Sequence, residues 1–459
     1  MVIQELFIWI GTDTMNLFAK LLARKEAGTP VRVGLIGAGK FGSMFLAQAR
    51  KLPAIHIAGI ADLSTERARA NLAFVDWKEE TYHATHLDDA CAQNTTFITD
   101  DASLLIADER INIIIEATGD PLIAVDHIIA ALDAGKDVIN VTVEADAFCG
   151  PGLARRAEAA GQIYSMAYGD QPALVCDLVD WARTCGFSVM AAGRGHKWMP
   201  HYRLSTPETV WDHWGLTKEQ AERGRLNPKM FNAFLDGSKP AIESAAIANA
   251  CRLTVPEQGL VFPSGSVDDI PQLMRPKSVG GVLDGPGMLE VISSLTPDGE
   301  PIAYDIRKGV WVCIEADTDY IKNCFEEYKV TTDDSGKYSC LYKRWHLIGL
   351  ELGMSVASVA VRGEATGVAT CFNADVAAVA KASLPVGTVL DGEGGATIYG
   401  GLRPAATSVA AGYLPLGLAN KARLTRPVSP DQVLTWDDVE LDTNRLAFQL
   451  RRETEALLG

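Results

Sequence analysis

The stretch Val31-Arg-Val-Gly-Leu-Ile-Gly-Ala-Gly-Lys-Phe-Gly42 constrains this chain more than any other. An apolar run leads straight into Gly37-x-Gly39-x-x-Gly42, and Asp62 stands 20 residues beyond the last glycine, at the end of Ala58-Gly-Ile-Ala-Asp62. The first glycine permits a tight turn and the second lets backbone approach a pyrophosphate. The third lets a helix close on the strand with its N-terminal N–H groups facing the anion. The spacing therefore predicts a strand–loop–helix unit that binds a dinucleotide through Gly37, Gly39, Lys40, Phe41 and Gly42. A carboxylate at Asp62 suits the ribose hydroxyls of NAD, or it caps the following helix. Arg67 and Arg69 follow closely and suit the 2′-phosphate of NADP, so the choice between the two stays open.

The pattern continues in register. Apolar runs at 31–36, 55–61, 111–117, 137–142 and 162–167 alternate with helical patterns at 42–51, 64–73, 122–134 and 151–160. Alternation of this kind predicts an α/β fold with a doubly wound parallel sheet. Glu116-Ala-Thr118-Gly119 ends the third of these runs and puts Thr118 and Gly119 on the nicotinamide side. The chain has 459 residues, too many for one ordinary core. We expect a leader and helix over 1–30 (residues 1–14 loosely attached, a helix over 15–27), the dinucleotide-binding domain over 31–186, a central α+β domain over 187–365, and a small, mostly β domain over 366–459. The central part has strand patterns at 187–193, 279–283, 287–294 and 309–316, and a helix pattern at 341–355. Strong helical patterning returns only at 443–458.

A formal charge of −16 argues against nucleic acid or an anionic membrane as partner, and an anionic ligand then needs a local positive island. The 9 cysteines form no CxxC pair and read as thiols of a reducing cytoplasm. The short apolar run Leu6–Ile10 is neither a membrane span nor a signal peptide. His83-x-x-His86 lacks a further ligand at metal spacing, while a divalent ion held by scattered carboxylates stays open.

Three further stretches carry chemistry. Gly193-Arg-Gly-His-Lys-Trp-Met-Pro-His-Tyr-Arg203 has no acid and reads as the positive island. In it Arg194 and Arg203 are candidates for an anionic substrate and Lys197 for polarising a carbonyl. Asp236-Gly-Ser238-Lys239 opens an Ala-rich helix bearing Glu243 and Asn249. Lys239 and Glu243 read either as substrate-facing catalytic groups or as an i, i+4 surface pair, with Ser238 and Asn249 as substrate contacts. His346, in Tyr342-Lys-Arg-Trp-His346-Leu-Ile-Gly-Leu-Glu351, is a candidate proton carrier on a helix.

Taken together, the GLIGAGKFG opening, the GRGHKWMP stretch, and YKRWHLIGLE followed by Glu364-Ala-Thr resemble the 1-deoxy-D-xylulose 5-phosphate reductoisomerase-like oxidoreductases. These have a homoserine-dehydrogenase-like N-terminal half. The tail, from Ala382-Ser-Leu-Pro-Val-Gly-Thr-Val-Leu390 through Pro427 to Val439, is similar to an antifreeze-like (SAF) domain. The resemblance implies a cytoplasmic, homodimeric NADPH enzyme whose central domain is catalytic and dimerising. It would rearrange and reduce a phosphorylated sugar in isoprenoid precursor synthesis, with NADH as the alternative to NADPH. Lys197, Lys239, Glu243 and His346 would then do the chemistry. Homoserine dehydrogenases carry an Asn-Lys pair where this chain reads Val143-Glu144, which weakens that activity here. A dehydrogenase of another polyol, sugar acid or amino-acid alcohol is the competing reading. A non-catalytic dinucleotide or carbohydrate sensor is a third.

Overall fold

A computed structural model describes residues 16–224 and 226–458; the leader expected over 1–14 lies outside them. The chain forms two compact units. One comprises residues up to 142 with 153–170 and 347–368, and the other comprises 143–152, 171–346 and 369–459.

The first unit is a six-stranded parallel sheet of β1 (Val31–Ile36), β2 (Ile55–Ala61), β3 (Phe97–Thr99), β4 (Ile113–Glu116), β5 (Asp137–Asn140) and β6 (Tyr164–Met166). Its order is β3-β2-β1-β4-β5-β6, so the strand order reverses between β1 and β4. Ligands of such sheets bind at the carboxyl ends of the strands at that reversal. The helices include α1 (Leu17–Glu26), α2 (Lys40–Ala49), α3 (Thr65–Phe74) and α4 (Pro121–Asp133). Val33, Leu35, Ile113, Ile115 and Ile139 meet Phe45 and Leu46 in its core. Strands buried on both faces read as continuous apolar runs, which is why β1, β2, β4, β5 and β6 are visible in the sequence.

One long helix, α5 (Val143–Ala160), starts eight residues before the pattern at 151–160. Gly150-Pro151-Gly152 reads as punctuation, yet the helix runs through it. A side chain on Gly152 would come within 2.5 Å of Thr454 Oγ1, so a close approach explains that glycine.

The second unit contains α6 (Gln171–Thr184) and the mixed sheet of β7 (Ser188–His196), β8 (Met288–Ser293), β9 (Val310–Glu315) and β10 (Tyr338–Lys343), in the order β10-β9-β7-β8. Helices α7 (Pro228–Leu235) and α8 (Ser238–Cys251) lie between β7 and β8 in the chain, and α8 packs on α6. An antiparallel ribbon follows, of β11 (Ala374–Ala380) and β12 (Ile398–Pro404), then the short pair β13 (Arg423–Leu424) and β14 (Val439–Glu440), then α9 (Leu446–Glu455). Arg451 of α9 is fully buried on Asp375, at 2.8 and 2.7 Å, with Glu455 at 2.9 Å and the Phe148 carbonyl at 3.1 Å.

Two expected elements are corrected. The helix over 341–355 is instead the end of β10, a loop, and a short helix at Gly353–Ala357. Tyr342 and Lys343 pair with Trp311 and Val310 of β9, and Gly349 at φ +75° interrupts any helical run. The strand over 279–283 is a single tight turn at Lys277–Val279, closed by Gly280 at φ +88°. The chain also forms β3 and β12, which the sequence patterning did not announce. Among the described residues no helix is long and apolar enough to cross a membrane.

Candidate functional site

Two sets of residues carry the chemistry, one in each unit. In the first unit the glycine loop joins β1 to α2. Gly37 adopts φ +99°, and a Cβ there would lie 2.5 Å from the Ala117 carbonyl oxygen. A Cβ on Gly42 would meet the Gly37 carbonyl oxygen at 2.5 Å. Gly39 differs, since no atom lies within 4 Å of its Cβ position, and the same holds at Gly119. Two glycines are therefore required by the protein itself, whereas Gly39 and Gly119 leave bare backbone facing open space. That bare surface beside the N-terminus of α2 fits a dinucleotide pyrophosphate. Lys40 begins α2 and is exposed, while Phe41 packs against the core.

Asp62 is buried and locks the loop. It accepts from the Ala38 N–H at 2.9 Å and the Ser64 N–H at 3.0 Å, and it pairs with Arg67. Ser64, not Asp62, caps α3 through the Arg67 N–H. Asn71 donates to the Ala38 carbonyl at 2.7 Å, a second brace that sequence reading did not single out. At the end of β4, Glu116 is fully buried and accepts from the Thr118 hydroxyl at 2.5 Å and from Thr142. Thr142 in turn accepts from the Gly119 N–H at 3.1 Å. This network holds Thr118 and Gly119 at the β4 edge beside the glycine loop.

In the second unit the basic stretch 194–203 is divided rather than gathered into one island. Strand β7 continues through His196, past the expected end at Gly193, and buries both Arg194 and His196. Arg194 is ion-paired to the equally buried Glu243, so its charge is answered inside the fold. Burial, and next the charge of Arg194, push the His196 imidazole down to about 3, so this ring is neutral at physiological pH. Lys197 donates to the His213 carbonyl at 2.7 Å and lies over Trp214 at 5.3 Å. Burial, then Arg307, lowers its pKa. Arg203 lies over Trp198 and Tyr399 instead, at 5.3 and 5.9 Å. His346 sits in a loop with Nδ1 2.7 Å from the Lys308 carbonyl oxygen.

Lys239 and Glu243 make no surface i, i+4 pair. Glu243 turns to Arg194, and Lys239 turns to Glu144 at 2.5 Å, in the first turn of α5. Ser238 accepts from the Gly400 N–H at 2.8 Å. Asn249 binds three backbone groups of residues 373 and 374, so it tethers the start of β11.

Sequence reading missed Glu393. It lies in Gly392-Glu-Gly-Gly395, which reads only as loop. That loop is clamped onto α7: Asn232 donates to the Gly394 carbonyl at 2.9 Å, Lys381 to the Gly395 carbonyl at 2.6 Å, and Lys229 to the Asp391 carbonyl. Lys381 also pairs with the fully buried Asp236 at 2.8 Å. The clamp sets Glu393 in the field of Glu144, Lys239, Asp236 and Lys229. Burial first, then the Glu144 charge, push its carboxyl up to about 8. A carboxyl that keeps its proton at neutral pH, beside a lysine–carboxylate pair, is an acid able to give a proton. The only signal in the sequence was an acid isolated among glycines. Among the described residues no three His, Cys, Asp or Glu side chains converge as a metal site.

Comparison with known proteins divides the chain in the same way. Residues 31–144 match the model of the oxidoreductase family, NAD-binding Rossmann fold, and residues 169–352 match that of oxidoreductase DRL, catalytic domain. No curated protein matches. Among solved structures, an oxidoreductase domain protein of Kribbella flavida is 18% identical over 39% of this chain and 46% of its own, with a TM-score of 0.28. The oxidoreductase yvaA of Bacillus subtilis is 14% identical over 74% and 91%, with a TM-score of 0.35. A levoglucosan dehydrogenase in complex with NADH is 16% identical over 38% and 47%, with a TM-score of 0.28. The chain thus spans about half the length of the first and third of these. The chain carries a glycine loop open to a pyrophosphate within the segment that matches an NAD-binding Rossmann fold, and a further segment that matches an oxidoreductase catalytic domain.

Proposed function

We propose that the protein is an NADPH-dependent reductoisomerase that converts 1-deoxy-D-xylulose 5-phosphate to 2-C-methyl-D-erythritol 4-phosphate. The observation that carries this reading is the cluster of Lys239, Glu144 and Glu393. Skeletal rearrangement breaks one C–C bond beside a carbonyl and forms another while a hydroxyl proton leaves. Reduction of the resulting aldehyde then needs a proton at its oxygen. Glu144 takes the hydroxyl proton and returns it to the alkoxide that the rearrangement leaves on the former ketone oxygen, which the Lys239 ammonium stabilises meanwhile. Glu393 gives its proton to the alkoxide formed when the aldehyde is reduced and regains one from solvent. The bound nicotinamide supplies the hydride. Arg67 supports NADPH because it answers the Asp62 charge that would otherwise repel a 2′-phosphate.

The competing reading is a dehydrogenase of an unphosphorylated polyol, sugar acid or amino-acid alcohol. One observation favours it: Arg194, expected to hold a phosphate, is occupied by Glu243. Purified protein is mixed with NADPH and 1-deoxy-D-xylulose 5-phosphate, and the nicotinamide absorbance is followed. Oxidation with formation of the branched polyol phosphate supports the first reading. No oxidation here, alongside oxidation with another carbonyl compound, replaces it with the second.

A further inference from the structure

The second unit contains a cavity of about 50 Å³, lined in part by Trp198, Arg203, Gln258, Phe262, Tyr399 and Arg403. That is room for a few waters or one small oxyanion. Its chemistry is unusual for an acidic protein. Neither Arg203 nor Arg403 is ion-paired to a carboxylate among the described residues. The acid in the wall, Asp236, is already answered by Lys381.

Aromatic faces hold the first guanidinium. Arg203 lies over Trp198 and Tyr399, and Trp198 is stacked on Phe262 with ring centroids 4.2 Å apart and planes 14° apart. Bare backbone frames the second. A Cβ on Gly259 would come within 3.1 Å of Arg403 Nη1, and one on Gly401 within 3.3 Å. Arg403 Nη1 itself donates to the Leu402 carbonyl at 2.7 Å, which fixes the fork. Both guanidinium charges act on the Tyr399 phenol, so the two face one region.

A separate observation points to a ligand. Trp198 is 7% exposed, yet its indole Nε1 is buried without a hydrogen-bond partner. It lies 3.6 Å from the Cβ position of Gly237, another residue of the cavity wall. A buried donor left unsatisfied is destabilising, so its persistence here calls for an acceptor.

We propose that this cavity is an oxyanion subsite that takes the phosphate group of the substrate, gripped by Arg203, Arg403 and the Trp198 indole N–H. Two guanidinium forks and a neutral N–H match the several acceptor oxygens of a phosphate better than the two of a carboxylate. This deepens the sugar-phosphate reading, with the role expected of Arg194 passing to Arg403.

The test titrates the full chain with inorganic phosphate and, separately, acetate, following tryptophan fluorescence and binding heat. Saturable phosphate binding with much weaker acetate binding is expected. Arg403→Gln should weaken phosphate at least 10-fold, and Arg403→Lys should recover part of the loss. Trp198→Phe keeps an aromatic ring on Phe262 while removing the N–H together with part of the indole, and should weaken phosphate several-fold. Phosphate binding that is absent, or unchanged in all three variants, overturns the subsite, and so does acetate binding as tight as phosphate. Kinetics separate this from the reaction assignment. If phosphate binds as described but 1-deoxy-D-xylulose 5-phosphate is not turned over, the subsite stands and the substrate is another phosphate ester. If the substrate is turned over and Arg403→Gln leaves KM unchanged, the reaction stands and the subsite falls.

Discussion

The glycine loop of the first unit and the Lys239–Glu144–Glu393 cluster of the second are assembled by opposite routes. The loop works through absent side chains, and its residues lie within a few positions of one another. The cluster works through side chains from the starts of α5 and α8 and from the loop before β12, which lie more than 90 residues apart in sequence. Backbone geometry imposes fixed spacing on a loop, and fixed spacing can be read from a sequence. Charges brought together by folding impose none.

That contrast explains what could be read in advance. Strands β1 and β2 appear at their observed bounds because burial on both faces makes them continuous apolar runs. The glycine loop appears because Gly37 and Gly42 each have a steric reason and Gly39 leaves backbone bare at a fixed spacing between them. The sequence singles out Lys239 and Glu243, and their i, i+4 spacing suggests that they pair with each other. Tertiary structure gave Glu243 to Arg194 and Lys239 to Glu144, because α8 is almost wholly buried and each charge needs a partner within reach. His346 was placed on a helix because Leu, Ile and Leu recur at helical spacing there. Pairing of Tyr342 and Lys343 with β9, and the positive φ of Gly349, override that local pattern.

The comparison breaks most sharply at the glycines. Gly37→Val should abolish NADPH binding and lower stability by at least ~2 kcal/mol, because it combines a backbone clash at 2.5 Å with a strained φ of +99°. Gly39→Val should also abolish NADPH binding, yet change stability by no more than ~0.5 kcal/mol, because its Cβ enters open space. Fluorescence titration with NADPH and chemical denaturation separate the two. Equal destabilisation by both would show that Gly39, too, serves the fold alone.

Turnover is expected to fall next. Lys239→Met should cut kcat on the order of 10²–10⁴-fold while leaving NADPH affinity unchanged, because its partner Glu144 lies in the second unit. Glu393→Gln should cut kcat about 10²-fold. It should also remove the loss of activity expected of the wild type as pH rises through about 8, the value to which burial and Glu144 push the Glu393 carboxyl. A wild-type profile flat through that range, or a variant retaining the limb, would take Glu393 out of the proton path.

The smallest effect concerns a carboxyl that serves neither site. Glu290 of β8 is 2% exposed and accepts N–H bonds from Val261, Phe262 and Val291. Burial outweighs these bonds and pushes its pKa from 4.5 up to about 7. Between those values the unfolded chain has lost a proton that the folded chain keeps, so this group's contribution to stability falls as pH rises. The fall is at most about 1.4 kcal/mol per pH unit. His196 opposes it below its ordinary value of 6.5, because its lowered pKa makes the unfolded chain the better proton binder. The wild-type curve alone therefore mixes these two with Glu393, whose raised pKa adds a fall over the same range. Subtracting the stability of Glu290→Gln at each pH cancels the histidine and Glu393, and the difference should decline from about 4.5 to about 7 and then level off. A difference that does not change with pH would mean that Glu290 ionises in the folded protein as freely as in the unfolded one. Glu393 would then be the better candidate for any loss of stability toward alkaline pH.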